Sequence, residues 1–217
     1  MKQTSERGIT ARGKLRHGAR LPADERRQAL IAAALRVFSE RSYARATTAE
    51  IAREARISEP ILYRHFGSKK ELYFACLDDA WTGLRDSLRA SVDELGPVEA
   101  WRELGPTTMK RLKAVVPNLW MQAVTEAGGD PEIRDFVRDH MRQVHDFFAE
   151  MLGRLQEAGA IPADRNPNAE AWIFVGGSLL ASFGDRLGGL LSDDDFAAIK
   201  AERWRWLSGS DLRSDPK

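Results

Sequence analysis

The sequence predicts an all-α protein, and three features carry that expectation. Apolar residues recur every three to four positions in one segment after another, which is the spacing of a single helix face, and no segment alternates residue by residue as a half-buried strand does. Helix start and stop chemistry punctuates those segments. Thr47-x-x-Glu50 and Ser68-x-x-Glu71 have the form of capping boxes, and Gly67, Gly96-Pro97, Gly128-Gly129 and Gly159 stand where periodic runs end. The stretch from Thr47 to Phe66, TTAEIAREARISEPILYRHF, reads as two short helices joined by a tight turn. About nine helices are expected in all.

A chain of 217 residues with 43% hydrophobic and 30% charged content can fill a core and stay soluble. Its net charge of +1 hides an asymmetry: residues 1–75 carry 16 Lys and Arg against 8 Asp and Glu, and the remainder carries 17 against 24. A basic end joined to an acidic body suggests that only the first part approaches a polyanion. The lone cysteine, Cys76, excludes an internal disulfide framework and fits a reducing, cytoplasmic compartment. Residues 1–22 lack the apolar central run of a secretory signal. The longest apolar stretch, Ala171 to Phe183, is too short for a membrane span of about 20 residues, so no membrane partner is expected.

Taken in order, residues 1–22 hold six Lys and Arg against one Glu, with interrupting glycines, and read as a disordered basic arm. Asp24 to Glu40 is the first helix, with Leu30, Ala34, Val37 and Phe38 inward and Asp24 and Glu25 at its positive end. Tyr43 follows, expected to pack with Phe38 and Phe66. Ile51, Ala52 and Ala55 make the apolar face of the next helix. Ser58 can cap a third helix, with Pro60 tolerated in its first turn. A long helix then starts at Lys69 with Leu72, Cys76, Leu77, Ala80, Trp81, Leu84, Leu88, Val92 and Leu95 as its inward row. Short helices are expected over 98–104 and 106–115, and another from Asn118 to Ala127. Asp130-Pro131 opens a long helix to about Ala158, with Ile133, Phe136, Val137, Met141, Val144, Phe148, Met151, Leu152 and Leu155 inward. The helix after Asn166-Pro167 is apolar nearly all round and should be buried on several sides, with Gly176, Gly177, Ser178 and Ala181 allowing a close neighbour. Ser192, with Asp193, Asp194 and Asp195, begins the last helix, whose apolar surface is Phe196, Ile199, Trp206 and Leu207.

The second short helix around residue 60 turns Leu62 and Phe66 inward and leaves polar and cationic groups outside, a shape that fits a DNA major groove. Thr47 is expected among the DNA-binding residues; Thr48, Ser58, Tyr63, His65 and Lys69 are expected on phosphates, which fix position; Glu59, Pro60, Ile61 and Arg64 are expected to face bases. The pattern Thr47-Thr48-x-x-Ile51-Ala52, then Leu62-Tyr63-x-His65-Phe66, then Ser68-Lys69-x-x-Leu72 resembles the DNA-binding domain of TetR-type transcriptional regulators, over about Ala23 to Ala80. Two positions depart from that family: Ser42 and Arg56 stand where it usually has Gly.

The resemblance implies a helix-turn-helix domain over residues 23–68 and a larger α-helical domain over 69–217 that binds an effector and dimerises through the two C-terminal helices. A four-helix bundle from two protomers would let a palindromic operator be read at half-sites about 34–36 Å apart or more. The resemblance also implies a small-molecule inducer. The aromatic-rich second part offers Trp81, Trp101, Met109, Leu112, Trp120, Met121, Met141, His145 and Trp172 as lining residues for an apolar molecule, with Gln122 as a further polar group. Nothing points to catalysis, a cofactor or a metal. His140 and His145 are five apart, not the four that would place both on one helix face as ligands, and no nucleophile triad or Gly-rich phosphate loop is present. The expectation is a DNA-binding repressor released by a small apolar or aromatic ligand. Its rivals are a regulator whose second domain only dimerises and an all-α enzyme with an appended DNA module.

Overall fold

The computed structural model describes residues 23–103 and 117–209. Among these the chain forms nine helices: α1 (Ala23–Glu40), α2 (Thr48–Glu54), α3 (Glu59–His65), α4 (Lys69–Leu95), α5 (Pro97–Glu103), α6 (Pro117–Glu126), α7 (Pro131–Glu157), α8 (Pro167–Arg186) and α9 (Asp193–Ser208). The basic arm, the short helix expected over 106–115, and with it Met109 and Leu112, lie outside the described residues.

Local chemistry accounts for most boundaries. Thr47 and Glu50 form the expected reciprocal capping box at α2, and Ser192 and Asp195 form another at α9, so the acidic run there serves the helix start. Asp130 caps α7 by accepting from the N–H groups of Glu132 and Ile133. At α4 the pattern is altered: Ser68 accepts from the Glu71 N–H, but the Glu71 carboxylate takes the N–H of Gly67 at 2.8 Å. Ser58 occupies the N-cap of α3 without a side-chain cap bond, contrary to expectation. Its dihedrals are extended and Pro60 fills the first turn, where one N–H fewer needs satisfying.

The turn between α2 and α3 is a Schellman motif. The Ile57 N–H bonds the Ala52 carbonyl at 2.9 Å, and the Arg56 N–H bonds that of Arg53 at 3.1 Å. The motif needs one left-handed residue, and Arg56 supplies it with φ 55°. At the end of α7 the same bonds recur, from Ala160 to Leu155 and from Gly159 to Gln156, and there Gly159 takes the left-handed seat at φ 71°. Of the two positions where glycine was anticipated, only residue 56 needs it; Ser42 stays out of that region.

Two apolar clusters fill the molecule. The first joins Leu30, Ile31, Ala34 and Phe38 of α1 to Ile51, Leu62 and Phe66, then to Leu72, Tyr73 and Leu77 of α4, and it continues into Leu119 of α6 and Ile133 of α7. The second gathers Trp81, Leu88 and Val92 of α4, Trp101 of α5, Phe147, Phe148, Leu152 and Leu155 of α7, then Ala171, Trp204 and Leu207. Helix α4 belongs to both. Its inward row gains Tyr73, whose hydroxyl donates to the Leu119 carbonyl at 2.7 Å, and loses Leu95, which is exposed. In α7, His140, His145 and Phe147 are buried, whereas Phe136, Met141 and Val144 are only partly so. Tyr43 packs on Phe38 at 6.2 Å and on Tyr73 at 4.6 Å.

Helix α8 departs most from expectation. Ala171 and Val175 are buried, but Trp172, Ile173, Leu180 and Phe183 are 45–50% exposed. It lays one side on α7, and among the described residues the other side is left about half exposed.

Arg56 in a glycine seat carries a left-handed strain that Gly lacks, partly offset by the greater freedom of Gly in the unfolded chain. Arg56→Gly should therefore stabilise the fold by about 0.5–1 kcal/mol. The check is a higher urea midpoint at unchanged slope.

Candidate nucleic-acid interface

Helix α3 is held by its inner side. Leu62 and Phe66 are essentially fully buried among α1, α2 and α4, and the Arg27 guanidinium covers the Phe66 ring at 4.8 Å. Its outer side is open: Ser58, Pro60, Tyr63 and Arg64 are exposed, and Ile61 and His65 are half-buried. A short helix anchored through two apolar side chains, with cationic and hydrogen-bonding groups outward, has the shape and charge of a major-groove reader.

Not every residue expected to touch DNA faces out. Thr48 is buried; its hydroxyl donates to the Glu59 carboxylate and lies 3.2 Å from the Tyr63 hydroxyl. These contacts tie the start of α2 to α3 and set the angle between the two helices. Glu59, expected to face bases, has one carboxylate oxygen engaged in this link. Thr47 is exposed at the N-cap, its side chain shared with Glu50. Arg41 pairs with Glu50 at 3.3 Å and Arg36 with Glu54 at 2.7 Å, whereas Arg53, Arg56 and Arg64 are exposed on the same domain.

Lys69 is also placed inward. Its ammonium donates to the Tyr43 carbonyl at 2.8 Å and the Ala46 carbonyl at 3.0 Å, and sits 4.4 Å above the Tyr43 ring. Burial lowers its pKa from the ordinary lysine value. Two of its three donors are used inside the domain, leaving one for a phosphate. The same corner is held from α6: Gln122 accepts from the Tyr43 N–H at 2.9 Å and donates to the Phe38 carbonyl at 3.3 Å. Sequence reasoning put Gln122 in a ligand site; the structure gives it this corner instead. Nearby, Lys70 at the start of α4 bridges Asp130 and Glu132 at the start of α7, both at 2.7 Å. Those bonds raise the Lys70 pKa, and the same ammonium holds Asp130 below the usual carboxylate range.

The residues expected to line a ligand site divide among three places. Trp81 and Trp120 meet on His140, at 6.0 and 4.0 Å between ring centroids. Trp101 stands at the end of a chain of ring contacts that runs from Trp81 through Phe147, Phe148 and Phe174. His145 and Trp172 form a pair of their own, stacked at 4.3 Å. Met121 is buried and Met141 partly so. The His145 ring has an acceptor beside each nitrogen, Asp146 at 2.8 Å from Nδ1 and the Asn168 carbonyl at 3.0 Å from Nε2. His140, absent from the expected lining, is the histidine that aromatic rings surround. Its position three after Val137 and seven after Ile133 is the signal that placed it inside.

A sequence model described as bacterial regulatory proteins of the tetR family matches residues 30–76. The HTH-type transcriptional activator FasR of Mycolicibacterium smegmatis is 48% identical over 85 residues, covering 37% of this chain and 39% of that protein. The HTH-type transcriptional regulator HbdR of an Aromatoleum species is 35% identical over 77 residues, covering 35% of this chain and 34% of that protein. The chain thus matches well under half the length of these curated relatives. Solved structures are similar in fold over a larger share of the chain. A TetR-like transcriptional regulator from Rhodococcus sp. RHA1 shares 26% identity at a TM-score of 0.58, covering 88% of this chain and 100% of that one. A protein of Saccharomonospora viridis solved in complex with choline shares 20% at a TM-score of 0.67, covering 82% and 95%.

The geometry separates two cations at this surface. Lys69→Met leaves two carbonyls without their donor and should cost about 1–3 kcal/mol of stability, whereas Arg64→Ala should stay within about 0.5 kcal/mol. Thermal unfolding of both variants checks the first difference. Binding to an operator and to a scrambled duplex checks the second, where Arg64→Ala should lose more on the operator.

Proposed function

We propose that the chain is a TetR-type repressor that binds a palindromic double-stranded operator as a homodimer and is released by a small apolar or aromatic molecule, a reading supported by the family match over residues 30–76. Residues 23–68 read the DNA, the basic arm 1–22 precedes them, and residues 69–217 bind the effector and pair the protomers. The observation that carries the reading is α3: a helix buried through Leu62 and Phe66 that presents Pro60, Tyr63 and Arg64 outward. Base contacts fall to Pro60, Ile61 and Arg64. Backbone contacts fall to Thr47, Ser58, Tyr63, His65 and the remaining donor of Lys69.

Pairing is supported at α8 and α9. Trp172, Ile173, Leu180 and Phe183 are about half exposed on α8, with Ile199 and Trp206 on α9, a larger apolar display than a solitary protomer usually leaves in water. Gly176 and Gly177 lie between them in mid-helix, where each costs roughly 0.5–1 kcal/mol relative to Ala. A Cβ at either would meet nothing within 4 Å, so packing inside the protomer does not require them. A helix from a second copy approaching closely does. Inducer then acts by population shift, favouring a spacing of the two α3 helices that no longer fits the operator.

Activation is a second reading, favoured by the name of the M. smegmatis relative, an activator. That identity spans 37% of this chain, and a relative's name does not fix the sign of this chain's effect. Selection of bound genomic DNA by purified protein, with and without metabolite extracts, tests the proposal. Enrichment of a palindrome that a given extract abolishes is expected; no enriched sequence overturns it. A reporter under that operator, rising when the gene is deleted, separates repression from activation.

Gly176→Leu tests the pairing. The protomer should fold at least as stably as before, while sedimentation equilibrium shows monomers in place of dimers and operator affinity falls more than tenfold. A variant that remains dimeric would remove α8 from the interface.

A further inference from the structure

We propose that His140 is the polar anchor of the effector site and that it selects a flat, uncharged aromatic molecule bearing a hydroxyl group. This rests on the ligand-responsive reading above and assigns the chemistry of its ligand. His140 is 1% exposed, and among the described residues neither ring nitrogen has a hydrogen-bond partner. A buried polar group without a partner is costly, and a native structure that retains one has a use for it. The ring lies among aromatic faces from three helices: Trp120 of α6 at 4.0 Å, Phe136 of α7 at 5.9 Å and Trp81 of α4 at 6.0 Å. Phe74 of α4 stacks on Phe136 at 4.1 Å, nearly parallel. Trp120, Phe136 and Phe74 are only partly buried, unlike the histidine they cover.

The nearest charged group sets the direction of the missing bond. Asp78 Oδ1 lies 3.5 Å from Nδ1, too long for a good hydrogen bond but close enough to favour the tautomer with its proton on that nitrogen. Nε2 is then an acceptor and calls for a donor. A phenol meets both demands, with an O–H for Nε2 and a ring that offset-stacks or meets the surrounding aromatics edge to face. An aromatic carboxylate brings the ring but not the donor, since at neutral pH it carries no proton, and its charge opposes that of Asp78. His145 cannot do this work, because both its nitrogens are already engaged.

The test uses the full chain labelled with 15N-histidine and three probes: 4-ethylphenol, ethylbenzene and 4-ethylbenzoate. Calorimetry should show 4-ethylphenol binding about tenfold or more tighter than either of the others, the factor expected for one satisfied buried hydrogen bond. The acceptor-type Nε2 signal of His140 should move on saturation with the phenol. His140→Phe, which keeps the ring and removes the acceptor, should lose that preference while binding ethylbenzene as before. Should His140→Phe fail to fold, the wild-type affinity ratio and the Nε2 signal decide alone. Equal binding of phenol and hydrocarbon, or an Nε2 signal that does not move because a trapped water is its only partner, overturns the assignment. If operator release by metabolite extracts persists in that case, only the role of His140 falls; if no extract releases the operator, the ligand-responsive reading falls with it.

Discussion

Four hydrogen bonds from outside the helix-turn-helix hold the corner that leads into it. The core beneath α2 and α3 is small, and the loop between α1 and α2 runs across its edge with backbone groups that need partners. Lys69 of α4 supplies donors to the Tyr43 and Ala46 carbonyls, and Gln122 of α6 takes the Tyr43 N–H and returns a donor to Phe38. In a partly dry environment such bonds are worth more broken than made, because each leaves an unsatisfied group behind. The position of α2 therefore depends on two helices that are not part of the reader.

That dependence gives the two ends of the molecule a mechanical connection. Helix α4 contributes Leu72, Tyr73 and Leu77 to one apolar cluster and Trp81, Leu88 and Val92 to the other, without a break in its hydrogen-bond ladder. Helix α6 touches the reader through Gln122, meets α4 where the Leu119 carbonyl accepts from the Tyr73 hydroxyl, and touches the aromatic surround of His140 through Trp120. Trp120 and Gln122 stand two residues apart on α6, so the aromatic surround of His140 and the clamp on Tyr43 share one helix. Lys70, bridging Asp130 and Glu132, ties α7 to the same end of α4.

The two buried histidines of α7 show how neighbours decide a role that residue type leaves open. His145 faces a carboxylate and a carbonyl and stacks on Trp172, so it secures α7 to the first turn of α8. His140, little more than one turn earlier, faces aromatic rings and has no partner for either nitrogen among the described residues. One helix thus carries a structural histidine and an unsatisfied one, distinguished only by what packs against them.

Periodicity and capping chemistry are local, so they were legible without coordinates. The all-α fold, the capping box at Thr47, the helix start at Ser192, the single helix from Lys69 to Leu95 and the outward side of α3 all follow from spacings of four residues or fewer. What tertiary structure decided were pairings across long sequence separations. Gln122 went to a backbone 79 residues away, Lys69 to carbonyls 23 and 26 residues back, and Thr48 to Glu59 and Tyr63 of the next helix. It also decided which sides of apolar α8 stay uncovered, and which of two histidines is satisfied. A sequence states which groups a helix turns to one face; only the packed chain determines which partner that face meets, because the partner comes from elsewhere in the chain.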